Sequence, residues 1–238
     1  MRTSREFNYA VVVVLAVAGC APAHATPSIS TSPSAVATSA EPFADEIESF
    51  AAADKVAPPA PHGVLFVGSS TIRMWPALKA DFAGVPVIQR GFGGSELSDV
   101  VHYASRIVIP YKPRLVILYA GDNDIAVGKT ATTVFSEYEQ FVRLVERALP
   151  DTRIAFVSIK PSIARWALID QIRSTNSMVR NFAAHDPRLL YIDTYSPMLG
   201  PDGTPRKELF VEDGLHMNDT GYALWRDILN PVVRAGRP

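Results

Sequence analysis

The chain has 238 residues, with 23 Lys and Arg against 24 Asp and Glu, a formal charge of −1, 47% hydrophobic residues and a single Cys. That composition excludes wholesale disorder, and the near-neutral charge excludes a protein built to grip nucleic acid through a basic field. One cysteine excludes an internal disulfide and a Cys-rich zinc site, and the length suits one ordinary domain or two small ones.

Arg2 and Arg5 precede an unbroken apolar run over residues 10–18. As a helix that run rises only ~14 Å, well short of a ~30 Å hydrocarbon core, so it reads as a secretory leader. Val17-Ala18-Gly19 then lead into Cys20. This stretch resembles the lipobox of bacterial lipoproteins. The resemblance implies a leader over 1–19, a lipidated Cys20 as the new first residue, and anchoring in the bacterial cell envelope. The other reading is a plain export signal cut near Ala21 or Ala25, which discards Cys20 and leaves a soluble exported protein. Residues 20–41, mostly Ala, Ser, Thr and Pro, predict a flexible tether. One domain is expected over 42–238, with its core in 63–232.

Phe43, Ile47, Phe50 and Ala51 recur at helical spacing. Pro42 suits the first turn of that helix, Asp45, Glu46 and Glu48 favour the positive end of its dipole, and Pro58, Pro59 and Pro61 end it. From Gly63 onward, short Val, Ile and Leu runs at 64–67, 85–88, 115–119, 154–159 and 189–192 alternate with helical patterns at 97–107, 134–149, 166–184 and 220–232. Runs apolar on both faces suit the buried strands of a parallel sheet. Thr132 or Thr133 is the expected cap of the second helical segment, and Asn218 or Asp219 that of the last. Five strands with helices between them predict a three-layer α/β sandwich with a parallel sheet, and ligands then gather at the carboxyl ends of the strands.

Polar clusters stand at those ends. Gly68-Ser69-Ser70-Thr71 follows the first run, Arg90-Gly91-Phe92-Gly93-Gly94-Ser95 the second, and Gly121-Asp122-Asn123-Asp124 the third. Asp213-Gly214-Leu215-His216 precedes the last helix. Each alone is an ordinary turn or loop. Together they hold what acyl transfer needs: a serine, a histidine base, an acid to orient it, and donors for a developing oxyanion.

This ordered set resembles the SGNH, or GDSL-like, hydrolase superfamily over about residues 63–232. The resemblance implies a flavodoxin-like α/β/α fold and a serine esterase that needs no metal or cofactor. Block by block it puts Ser70 at the nucleophile and Asp213 with His216 at the Asp-x-x-His pair. Ser70, Gly94 and Asn123 fall at the oxyanion hole. Its substrate would be a small-molecule or glycan ester, with short acyl groups, acetyl among them, the first expectation. The alternatives are a thioesterase or lysophospholipase, an acyltransferase using the same residues, and an envelope binding protein that keeps the fold without turnover. The sequence departs from the family at Ser69, which replaces the usual block-one Asp and raises the question of which serine attacks; register favours Ser70. Gln89 likewise stands where many members have Asn.

Further expectations bear on the site. Arg90 either touches substrate or pairs with Asp122 or Asp124. Trp166 either lines an acyl or sugar pocket or anchors a helix start. Met74 and Trp75 cover the core below the nucleophile, and the loop 197–211 borders the cleft. A metal at Asp122-Asn123-Asp124 is disfavoured, because three ligands crowd one turn with no distant partner. His24, His62, His102 and His185 have no acid placed like Asp213 and read as solvated or packing residues.

Overall fold

A computed structural model of the chain describes residues 41–235. The expected leader and tether, Cys20 and His24 included, lie outside the described residues except for Glu41. Five parallel strands, β1 (Val64–Gly68), β2 (Val87–Gly91), β3 (Leu115–Tyr119), β4 (Arg153–Val157) and β5 (Leu189–Ile192), form one sheet in the order β2-β1-β3-β4-β5. All four pairings are parallel. Alternate side chains of these strands enter two cores, and every residue of β1 and β3 is buried.

Helices α1 (Ala44–Val56), α4 (Leu97–Ile107), α6 (Ala131–Ala148) and α7 (Ile169–Ala183) cover one face. There Leu65, Val67, Val116, Leu118 and Phe156 meet Ile47, Val100, Phe141 and Val179. The short α2 (Ser70–Arg73) and α3 (Leu78–Asp81), with α8 (Asp219–Arg234), cover the other, around Phe66, Ile117, Tyr119, Trp75, Phe82 and Trp225. One further short helix, α5 (Asp122–Ala126), follows β3. The architecture is the three-layer α/β/α sandwich expected of the sequence.

The boundaries differ where tertiary contacts overrule local pattern. β2 begins two residues later than the apolar run and continues through Gln89 and Arg90. Those polar residues are accommodated because Gln89 Nε2 donates to the carbonyls of Ile72 (2.7 Å) and Trp75 (3.2 Å), while Arg90 is paired under α1. The cap of α6 is Thr130, whose Oγ1 accepts from Thr133 N at 3.1 Å, so the helix starts two or three residues earlier than Thr132 or Thr133 would allow. Asn218 caps α8, its Oδ1 accepting from Thr220 N and Gly221 N. The segment at 166–184 opens as a single 3₁₀ turn before α7. Pro42 lies before α1 rather than in its first turn, and its carbonyl accepts from Tyr103 OH. Trp75 is fully buried, whereas Met74 is exposed rather than part of the core.

The strand order fixes where a site can form. The chain leaves β1 for β2 on one side and returns to β3 on the other, so the crevice above β1 and β3 is a topological switch point. Ser70 opens α2 directly after β1, and Asn123 lies in α5 directly after β3. Gly68 makes this junction possible. Its φ is +138°, and a Cβ there would stand 1.8 Å from Tyr119 O, so neither the conformation nor the space admits a side chain.

Candidate active site

Ser70 Oγ lies 3.1 Å from His216 Nε2, and His216 Nδ1 lies 2.6 Å from Asp213 Oδ2. The tight turn between Asp213 and His216 is held by the same carboxylate, whose Oδ1 accepts from Leu215 N (2.8 Å) and His216 N (2.9 Å). Partial burial raises the Asp213 pKa, but the imidazole and the two backbone N–H groups outweigh it and hold the carboxyl at about 2. An ionised carboxylate only accepts, so Nδ1 carries the proton and Nε2 presents its lone pair to the Ser70 hydroxyl. That chain can take a proton from Ser70 and return it to a leaving group. Residues 197–211 do run beside this turn: Val211 N donates to His216 O, and Phe210 bridges Met217.

The structure also answers which serine faces the histidine. Ser69 is buried, and its Oγ has no hydrogen-bond partner among the described residues. Ser70 Oγ is the hydroxyl at His216.

Two backbone N–H groups and one amide hydrogen among the expected oxyanion donors are left without an acceptor by the described residues. Among the described residues neither Ser70 N–H nor Gly94 N–H has an acceptor. Gly94 has φ +74° with open space where a Cβ would stand, so its glycine is required by backbone conformation rather than by crowding. Asn123 Nδ2 donates one hydrogen to Ser95 O at 2.9 Å, which leaves the second free.

The loop carrying Gly94 is fixed from three sides. Glu46 Oε1 of α1 accepts from Gly93 N (3.1 Å), Asn123 holds Ser95 O, and buried Asp124 accepts from Leu97 N (2.9 Å). Burial raises the Asp124 pKa to about 6, against the opposing pull of Leu97 N and Lys129. Lys129 Nζ also reaches Glu96 and Glu137.

Three features of the site escaped sequence reasoning. Lys160, 1% exposed, donates to Asp122 Oδ2 (3.0 Å), Tyr119 OH (2.9 Å) and Thr71 Oγ1 (3.2 Å) beneath the nucleophile. Burial raises the Asp122 pKa, but Lys160 and Arg165 more than offset it and hold the carboxyl below its ordinary value. Arg165 joins the cluster, with Nη1 3.1 Å from Asp122 and Nη2 donating to Asn123 Oδ1 at 2.8 Å. Glu46 is the third, since an acid that reads only as a complement to the α1 dipole also supports the Gly94 loop. The signal for Lys160 was present: a lysine at the carboxyl end of an apolar run, where ligands and their supports collect.

Arg90 requires a correction. It pairs with Asp54 and Tyr111 OH, with its guanidinium over the rings of Phe50 and Tyr111, on the face covered by α1. Asp122 and Asp124 take Lys160, Arg165 and Lys129 instead, and Arg90 does not face the crevice. Trp166 sits in the 3₁₀ turn that leads into α7, with the Arg173 guanidinium 5.9 Å from its ring centroid. His102 lies 3.5 Å from Glu41, and His185 Nδ1 is 2.7 Å from Asn181 O. Among the described residues no group of three or more His, Cys, Asp or Glu is arranged to hold a metal ion.

Residues 49–224 match the family model of the GDSL-like lipase/acylhydrolase family. No curated protein matches the sequence. Among solved structures the chain resembles a Streptococcus pneumonia protein named for platelet activating factor (TM-score 0.71, 20% identity, 79% of this chain and 92% of that one). It also resembles a GDSL-like lipase from Bacteroides thetaiotaomicron (TM-score 0.70, 20% identity, 80% and 98%). A carbohydrate esterase family 3 protein from Talaromyces cellulolyticus is similar at TM-score 0.56 and 18% identity, over 71% and 95% of the two chains. At these identities the likeness is one of fold.

Proposed function

We propose that this chain, which belongs to the GDSL-like lipase/acylhydrolase family, hydrolyses carboxylic esters through an acyl-enzyme on Ser70. The observation that carries this reading is the continuous chain from Ser70 Oγ through His216 to Asp213, lying at the switch point of the sheet. Ser70 Oγ attacks the ester carbonyl carbon as Nε2 takes its proton. The tetrahedral oxyanion is met by Ser70 N–H, Gly94 N–H and the free Nδ2 hydrogen of Asn123, and losing one such donor typically costs ~2.7–4 kcal/mol of barrier. His216 then protonates the departing alkoxide. Water, activated by the same nitrogen, attacks the acyl-enzyme and releases the acid. Asp213 orients the ring and stabilises the imidazolium in both steps.

Short acyl groups on a hydrophilic alcohol, acetyl on carbohydrate among them, suit the site best. His216 is 22% and Asp213 47% exposed, so the catalytic groups open directly to water, and the likeness to a carbohydrate esterase points the same way. The amino-terminal sequence supports export and lipid attachment at Cys20; a Cys20→Ser protein that still partitions with membranes would refute the anchor.

The test of function is a panel of p-nitrophenyl esters from acetyl to palmitoyl, with fluorophosphonate labelling of the wild-type protein and Ser70→Ala. Labelling lost in Ser70→Ala and rates falling with chain length are expected. Rates rising with chain length would replace the short-acyl reading with a lysophospholipase type. Folded wild-type protein that neither labels nor turns over would replace the enzyme with a binding protein.

A further inference from the structure

An asparagine serves an oxyanion in only one of its two amide orientations. With Nδ2 toward the crevice it donates; flipped, its carbonyl oxygen would face the developing negative charge and repel it. The terminal torsion of Asn is broad and nearly two-fold, so the backbone alone does not select between them.

We propose that Arg165 is a positioning residue that locks the Asn123 amide in its donating orientation, a role that rests on the oxyanion assignment of Asn123 above. Arg165 Nη2 donates to Asn123 Oδ1 at 2.8 Å, and Asn123 Nδ2 donates to Ser95 O at 2.9 Å. The flipped amide would set NH₂ against guanidinium and one carbonyl oxygen against another, so both contacts oppose it. Arg165 is itself held, with Nη1 3.1 Å from Asp122 Oδ2, an oxygen that also accepts from Lys160 Nζ and Tyr119 OH. The lock therefore runs from a buried lysine through a carboxylate and a guanidinium to the amide. Nη2 makes the hydrogen bond to Asn123 while Nη1 makes only an ion-pair contact with Asp122, and a lysine, with one point charge, cannot serve both neighbours.

The test uses p-nitrophenyl acetate turnover by the wild type, Arg165→Ala, Arg165→Lys, Asn123→Ala and the double variant Arg165→Ala/Asn123→Ala. Active sites are counted by fluorophosphonate titration, and folding is followed by thermal melting. A charge-assisted hydrogen bond that selects one orientation predicts a fall in kcat of about 10- to 100-fold in Arg165→Ala, with KM within about twofold. Asn123→Ala falls by about 10²–10³. The double variant is no slower than Asn123→Ala within about threefold, because an arginine that acts through the amide has nothing left to act on. Guanidinium ion added at millimolar concentration partly restores Arg165→Ala and leaves Asn123→Ala unchanged. Should Arg165→Ala fail to fold, Arg165→Lys keeps a cation beside Asp122 and is expected to lose kcat in the same direction.

Full kcat in both Arg165 variants overturns the inference, as does an effect confined to KM. If Asn123→Ala slows turnover but the double variant loses the full product of the two effects, the positioning role fails while the oxyanion reading stands. If Asn123→Ala keeps its kcat, the oxyanion reading fails and this inference falls with it.

Discussion

Lys160→Met removes a buried cation while keeping much of its volume. Three acceptors lose a donor at once: Asp122 Oδ2, Tyr119 OH and Thr71 Oγ1. Removing one partner of a buried ion pair costs about 3–5 kcal/mol, since the other charge is left uncompensated. Here the loss sits at the lower end, because Arg165 remains 3.1 Å from the same carboxylate oxygen and Tyr119 OH still donates to it. The expected destabilisation is about 3 kcal/mol, a fall in Tm of roughly 6–12 °C for a domain of this size.

Urea unfolding followed by far-ultraviolet circular dichroism and by tryptophan fluorescence measures it, since Trp75 and Trp225 are fully buried. The sign with pH is fixed by Asp122, whose folded pKa lies below its ordinary value. Its pairing stabilises the protein above the ordinary carboxylate range, and that stabilisation is lost as pH falls through the folded pKa. The gap between wild type and Lys160→Met therefore narrows in acid. Adding Asp122→Asn to the variant removes the stranded charge and recovers part of the loss. A cost under about 1 kcal/mol, or a double variant no more stable than the single one, would refute the view of Lys160 as the neutralising charge beneath the site.

Asp213→Asn should lower kcat by on the order of 10⁴ with little change in KM, as the imidazole loses its orienting and stabilising partner. With the carboxyl held at about 2, the Asp213 contribution is present above the ordinary carboxylate range and lost only as pH falls toward that value. The wild-type pH–rate profile should then show no inflection from Asp213 between about pH 4 and 9; an acid limb that disappears in Asp213→Asn would contradict this. Glu46→Ala frees Gly93 N–H and Arg73 but breaks only a partly exposed ion pair. Steady-state kinetics should show kcat reduced about three- to tenfold, while melting shows a stability change within about 1 kcal/mol.

The layers of the fold were legible because the sheet is buried on both faces, which turns each strand into a short apolar run that local pattern reveals. β3 and β5 have the boundaries their runs predict. β2 does not, because Gln89 and Arg90 become strand residues only through partners remote in sequence, the carbonyls of Ile72 and Trp75 and the side chains of Asp54 and Tyr111. For the same reason Arg90 makes a structural pair, but with Asp54 and Tyr111 of distant segments rather than with Asp122 or Asp124.

What the sequence by itself determined was the chemistry available: a serine, an asparagine, a glycine loop and an Asp-x-x-His turn, each at a strand end or before the last helix. Short-range spacing carried that information, since every block is a handful of consecutive residues. The tertiary structure decided which serine faces the histidine, which way Arg90 points, and that Lys160, Asp122 and Arg165 form one charged cluster under the crevice. Lys160 meets Tyr119 and Thr71 from more than forty residues away in the chain. Contacts of that range are set by strand order and helix packing, and no local pattern of residues encodes them.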